Sequence, residues 1–312
     1  MRKSVAVALI SVATIVVLCS VPARALSGAP APGSVKAVAR AVSGSHKITK
    51  LSSALAAELP SATRDSFCGV YVVTCEGCIS ITACTFGDRT GTKTIVLMGD
   101  SHAAMWIPAI GRIGVKLKEK VILLWTDQCP AADLDVWFEL THSDNTSCTT
   151  DRNSWIASIQ QMHPATVILA ERTFGIYSAA SNGSTIFTPA QWQAGLETTI
   201  AAIDKDTKVA VIGDIVPFDE SVPTCLASEP GAVQSCSVPD PNPNRAIFDT
   251  SERAAALAEQ VPFVNAQKWL CTRICSPVIG QMIAYCDAFH ISNSYATYLA
   301  RVLQTSLKKV LA

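Results

Sequence analysis

The sequence predicts an α/β fold of three layers, α/β/α, with helices on both faces of a five-stranded, mainly parallel sheet. Two observations point there. Five short apolar runs, each bounded by polar or turn residues, alternate with longer segments of helical periodicity. The composition, 49% hydrophobic and 16% charged over 312 residues, suffices for one large core. The runs are residues 94–98 (TIVLM), 121–125 (VILLW), 166–170 (TVILA), 209–212 (VAVI) and 262–265 (PFVN). Each reads as a strand buried on both faces. Helices are predicted over 103–119, 151–161, 189–203 and 244–260, with a closing helix over 294–310. Regular alternation of this kind implies βαβ units and a parallel sheet, whose ligands bind beyond the carboxyl ends of the strands.

The amino terminus has a different character. Arg2 and Lys3 precede an apolar run over 4–21 that ends at Ala23-Arg24-Ala25, the anatomy of a signal peptide spanning residues 1–25. An uncleaved membrane anchor is the alternative, because the run approaches the length of a span. Residues 26–60 read as a linker, rich in Ala, Pro, Gly, Ser and Val, followed by a short helix over 47–59. Residues 61–312 read as a single domain, of which 61–93 is a disulfide-stapled lead-in. The connection over 218–243 reads as an insertion across one sheet edge.

Charge and cysteine content narrow the class further. Without residues 1–25, 22 basic residues face 25 acidic ones, a net charge of about −3 with no basic stripe. Nucleic acid is therefore excluded as a partner. Twelve cysteines fit a chain that matures in an oxidising compartment, so a secreted or extracytoplasmic location in the cell envelope is expected. Pairs of Cys129 with Cys148, Cys225 with Cys236, and Cys271 with Cys275 would each staple a loop between predicted elements. Cys68, Cys75, Cys78 and Cys84 admit a zinc reading through the Cys75-x-x-Cys78 spacing, but disulfides suit an exported chain better. Cys286 is the expected leftover thiol. No cofactor is implied, and a monomer is expected.

Chemistry concentrates in two places. Gly99-Asp100-Ser101-His102 stands between the first strand and the helix after it, where unpaired backbone N–H groups and the helix dipole favour an oxyanion beside Ser101. A plain helix cap by Asp100 or Ser101 would look the same. The second place is Asp287-Ala288-Phe289-His290, just before the last helix. A serine hydroxyl needs an imidazole to take its proton, and the imidazole needs a carboxylate to fix its tautomer. Spacing of three lets one loop supply both, so Ser101, His290 and Asp287 are the candidate nucleophile, base and orienter.

Cys-Thr-Phe-Gly-Asp at 84–88, Lys-Thr-Ile-Val-Leu-Met-Gly-Asp-Ser-His-Ala at 93–103, Trp106, Pro108, Cys129-Pro130, the Cys271/Cys275 pair and the terminal Asp287-x-x-His290-Ile-Ser together resemble the SGNH (GDSL-like) hydrolase superfamily. The version fused behind membrane O-acyltransferases of surface polysaccharides is the nearest likeness, from about residue 60 onward. The resemblance implies the flavodoxin-like SGNH hydrolase fold and acyl transfer through an acyl-serine. It also implies an acylated carbohydrate or other small ester as substrate, and a membrane acyl-donor protein as a partner where a sugar accepts the acyl group. Two blocks of the pattern are missing. Thr126-Asp127-Gln128 stands where the oxyanion glycine is expected, and Glu171-Arg172-Thr173 where Gly-x-Asn-Asp is expected. Arg172 is the substitute candidate, for an oxyanion or a substrate carboxylate, with an ion pair to Glu171 or Asp214 as its alternative. His102 and Asp100 read as structural, and Trp106, Trp125 and Phe174 as a sugar platform or as core. A secreted lipase or general esterase, and a catalytically silent glycan-binding domain, are the competing functions.

Overall fold

The structure, a computed structural model, describes residues 30–66, 84–138, 142–240 and 243–311. The expected signal segment and Cys68, Cys75 and Cys78 lie outside these residues. The main sheet has six strands: β1 (Thr85–Gly87), β2 (Thr94–Gly99), β3 (Lys120–Trp125), β4 (Thr166–Ala170), β5 (Lys208–Ile212) and β6 (Phe263–Val264). Their order is β1-β3-β2-β4-β5-β6, with only β1 antiparallel. The five predicted strands are thus the parallel ones. Counted among themselves they run second, first, third, fourth, fifth, the flavodoxin-like order, whose crevice opens where connections leave β2 and β4 in opposite directions.

β1 is an additional edge strand. Three residues beside a glycine carry too little periodicity to announce a strand, and pairing with β3 is what makes them one.

Alternate side chains of each central strand enter different layers, as the pleat requires. Ile95 and Leu97 join one core, and Val96 and Met98 the other. Helices α1 (Val35–Gly44), α2 (Ser53–Ala62), α3 (Ser101–Ala104), α4 (Ile107–Leu117) and the closing helix (Asn293–Ser306) lie on the first side. The second side is covered by Thr146–Met162 and Pro189–Ala201, and by Ala255 and Ala256 of the helix Pro243–Ala258. Local chemistry sets the helix starts. Asn145 accepts from Cys148 N and begins its helix five residues earlier than periodicity suggests, while Thr188 and Gln191 form a capping box ahead of Pro189. The helix predicted over 103–119 is two pieces, because Pro108 favours a fresh start at the first turn.

Residues 30–60, the described part of the segment read as a linker and short helix, pack against the domain. Val38 and Val42, one turn apart, bury against the core, and Ser34 caps α1 by accepting from Ala37 N. Small residues around these valines hide the apolar stripe from a composition reading. The short helix predicted over 47–59 begins instead at Ser53, capped by Ser52, and runs to Ala62. The connection over 218–243 holds this segment down: Leu51 N donates to Pro230 O, Val233 N to Thr49 O, and Gln234 Nε2 to Ser45 O and Ile48 O.

The three expected disulfides are present, Cys129–Cys148, Cys225–Cys236 and Cys271–Cys275. Cys286 is buried, and its thiol donates to the carbonyl oxygens of His290 and Ile291.

Gly99 is the tightest point of the sheet. It pairs with Trp125 on one side and Ala170 on the other, at φ 149°, and a Cβ there would sit 1.8 Å from Ala170 O. A backbone oxygen held in a central strand cannot yield. Gly99→Ala is expected to lower the unfolding free energy by about 3 kcal/mol or more, measured by denaturant unfolding; a loss below the scatter of the assay would refute this account of the turn.

Candidate active site

Two loops from opposite ends of the sequence meet above the sheet. The β2 turn delivers Ser101 as the first residue of α3, and the 287–290 loop delivers His290 against it. His290 Nε2 lies 3.0 Å from Ser101 Oγ, and His290 Nδ1 lies 2.7 Å from Asp287 Oδ2. The carboxylate pairing fixes the tautomer: Nδ1 carries the proton, so Nε2 accepts the serine hydroxyl. Asp287 Oδ1 also accepts from Phe289 N and His290 N, closing a turn that leaves its other oxygen for the imidazole. Burial pushes the Asp287 carboxyl up, but the His290 hydrogen bond and charge, with both N–H donors, outweigh it and hold the group below its ordinary range.

Asp100 ties the nucleophile turn to the neighbouring strand. Its Oδ1 accepts from His102 N at 2.8 Å and both oxygens accept from Arg172 N, at 3.1 and 2.9 Å. The reading of Asp100 as a structural residue agrees with this geometry, and it extends beyond its own turn. The same bonds limit the oxyanion donors. His102 N is spent on Asp100 Oδ1, and Ala103 N and Ala104 N on Asp100 O. Among the described residues the Ser101 N–H in this turn has no acceptor and is available to an oxyanion.

Arg172 pairs with neither carboxylate named as its alternative. Glu171 accepts from Ala132 N and Trp192 Nε1, and Asp214 accepts from His102, Thr173 and Ile215 N. Arg172 instead donates from Nε to Phe174 O, with its guanidinium carbon 4.5 Å from the Phe174 ring and 5.0 Å from the Phe289 ring. Phe289 belongs to the same loop as His290, so the guanidinium spans the strand-end loop and the base loop. Trp106 and Trp125 are 1% and 3% exposed, which makes them core and not a sugar platform.

A second His–Asp pair lies beneath the first. His102 Nδ1 is 2.6 Å from Asp214 Oδ1, both fully buried, and the His102 ring stands edge-on to His290 with centroids 5.1 Å apart. Burial lowers the His102 pKa despite Asp214 and keeps the imidazole neutral. The structural hydrogen bond expected of His102 is therefore present, and its partner is Asp214 at the end of β5, which the sequence offers only as an alternative ion-pair partner of Arg172. Glu252, fully buried, accepts from Asp214 N and gave no signal at all. The described residues offer one grouping of metal-binding type, Asp240 with Cys271 and Cys275, and those two sulfurs are joined to each other.

The family model of the SGNH domain fused to AT3 domains matches residues 71–305, so the chain belongs to that family. Membership places it among the SGNH-type ester hydrolases and O-acyltransferases. Among solved structures, the periplasmic domain of a Salmonella ser. Paratyphi A lipopolysaccharide acetyltransferase is similar at TM-score 0.59 and 16% identity, covering 81% of this chain and 96% of that one. An M. smegmatis aryl esterase, TM-score 0.44 and 16% identity, covers 70% of this chain and 100% of its own. A carbohydrate acetylesterase family member from Sinorhizobium meliloti, TM-score 0.43 and 13% identity, covers 70% and 99%. No match was found among curated proteins.

The buried carboxyls give a pH prediction. Burial raises Asp100 to about 8 against the N–H groups of Arg172 and His102, and raises Glu171 to about 7 against Ala132 N and Trp192. A folded pKa above the unfolded one means that folding takes up protons. The stability these groups contribute is complete below about pH 4 and is lost as pH rises through about 7 to 8. Urea unfolding at pH 5 and pH 8 is expected to show this fall, and Asp100→Asn to flatten it. An identical pH slope in the variant would disprove the assignment.

Proposed function

We propose that the protein is an extracytoplasmic O-acyl esterase or O-acyltransferase acting on an acylated carbohydrate, with Ser101 as nucleophile, His290 as general base and Asp287 as its orienter. The observation that carries this reading is the unbroken relay Asp287–His290–Ser101 at 2.7 and 3.0 Å, placed at the switch point of the sheet. Ser101 Oγ attacks the ester carbonyl while its proton passes to His290 Nε2, and the imidazolium is stabilised by Asp287. The tetrahedral oxyanion takes the Ser101 N–H. Collapse expels the sugar alkoxide, which receives the proton from His290 and leaves an acyl-serine. Water or a second sugar hydroxyl then attacks, gives its proton to His290, and releases acid or a new ester as the proton returns to Ser101.

Several features support the compartment and the substrate class. Three disulfides suit an oxidising environment, and the signal-peptide pattern agrees with it. The structural neighbours include a lipopolysaccharide acetyltransferase periplasmic domain. A family fused to AT3 domains makes a membrane acyl-donor protein the natural partner whenever a sugar is the acceptor. A lipase reading fits less well, because a guanidinium against Phe289, next to His290 in the chain, makes a poor acyl-chain wall.

A fluorophosphonate probe is expected to label the intact protein and to leave Ser101→Ala unlabelled. His290→Ala is expected to lower ester hydrolysis on the order of 10⁴-fold or more. Equal labelling of Ser101→Ala would remove the serine-enzyme reading.

A further inference from the structure

Arg172 is held in place from three directions. Its backbone N–H is gripped by both oxygens of Asp100, its Nε donates to Phe174 O, and its guanidinium rests against Phe174 and Phe289, whose own ring centroids are 5.6 Å apart. Gly175, at φ 61°, clears the space this requires, because a Cβ there would meet Arg172 Nη2 at 2.8 Å. The side chain is half-buried, and among the described residues no carboxylate pairs with it. Among the described residues its four Nη hydrogens have no acceptor, although a guanidinium is built to donate in a planar fork.

The charges around it do not balance this cation. Asp287 is engaged by His290, and Asp214 by His102, Thr173 and Ile215 N. Asp100 and Glu171 are buried with their own N–H donors. A positive group fixed at the junction of the nucleophile and base loops, with its fork unspent, calls for a negative partner that arrives with the ligand. An ester oxyanion would fill one donor only and exists only fleetingly. A carboxylate would accept from both arms of the fork and bind in the ground state.

Resting on the esterase or acyltransferase reading, we infer that Arg172 is the receptor for a substrate carboxylate, so that the preferred substrate is an O-acylated acidic sugar of the uronic acid type. Phe174 and Phe289 set the plane of the fork, and Asp100 sets its distance from Ser101. Arg172 is then a specificity residue, acting on substrate binding and separating acidic from neutral sugars.

The test uses O-acetylated galacturonic acid and its O-acetylated methyl ester, which differ by one negative charge. Acetate release by the intact protein is expected to favour the acid by about ten- to a hundredfold in kcat/KM, carried by KM. Arg172→Gln is expected to bring the ratio of the two kcat/KM values to about one, with Arg172→Lys between. A ratio near one in the intact protein would overturn the proposal. So would an equal fall for both esters in Arg172→Gln, which would make Arg172 an oxyanion donor. Calorimetric binding of galacturonate and of its methyl ester to Ser101→Ala keeps the inference independent of turnover: selective binding of the acid, lost in Ser101→Ala/Arg172→Gln, supports it, and binding without selectivity, or none, rejects it. Loss of the esterase reading is recognised separately, by absence of fluorophosphonate labelling in the intact protein.

Discussion

The site depends on one buried carboxyl, Asp100, that belongs to the nucleophile turn and reaches across to the next strand. Gly99 pairs with Ala170 in the sheet, and one residue later the two chains turn away from each other. Without this bridge, the loops carrying Ser101 and Arg172 would be joined to each other only through Asp214, which holds His102 and Thr173. Asp100 supplies that bridge by accepting from His102 N and Arg172 N, so that the helix start and the β4 loop share a single acceptor. Its burial makes the bonds strong and their absence costly, because neither N–H has another partner ready.

The base loop is anchored differently, by backbone bonds to the segment after β5. Phe218 N donates to Ala288 O, Val222 N donates to Asp287 O, and Tyr285 Oη donates to Val216 O. Asp214 stands at the start of this same segment and holds Thr173 and His102. The two halves of the site are therefore fastened to one stretch of chain after β5, which receives the nucleophile side through Asp214 and the base side through Phe218 and Val222. The second His–Asp pair has a structural meaning in this arrangement. It locks the residue after Ser101 onto the segment after β5 that also holds the 287–290 loop.

What could be read from the sequence follows from how local each signal is. The five parallel strands were legible because a strand buried on both faces is a continuous apolar run, and 94–98 or 166–170 needs no partner to declare itself. Asp287-x-x-His290 was legible because both members sit in one loop. β1 and the register of α1 were not, since each is decided by what it packs against. The same holds at the site. Ser101, Asp287 and His290 are found by residue type and spacing, whereas Asp214 and Glu252 act through contacts between residues 38 to 112 positions apart. Arg172 was visible as an unusual residue at a strand end, but that no carboxylate among the described residues pairs with it emerges only when Glu171 and Asp214 are seen to be occupied elsewhere.

Asp100, Glu171 and Asp214 at the strand ends, and Glu252 of the helix Pro243–Ala258 bonded to Asp214 N, are all buried, and as full charges they would oppose an oxyanion forming at Ser101. Burial resolves part of the conflict. It raises Asp100 to about 8 and Glu171 to about 7, so these carboxyls bind protons at a pH where exposed ones are ionised. Asp214 lies against a neutral imidazole and several N–H and O–H donors, which disperse its charge. A floor assembled from acids in this way supplies the hydrogen-bond acceptors that fix loop geometry without their full electrostatic penalty. It leaves Asp287, kept ionised by His290, as the charge that sustains the imidazolium. On the proposed reading Arg172, set against Phe174 and Phe289, is the cation offered to the ligand's carboxylate.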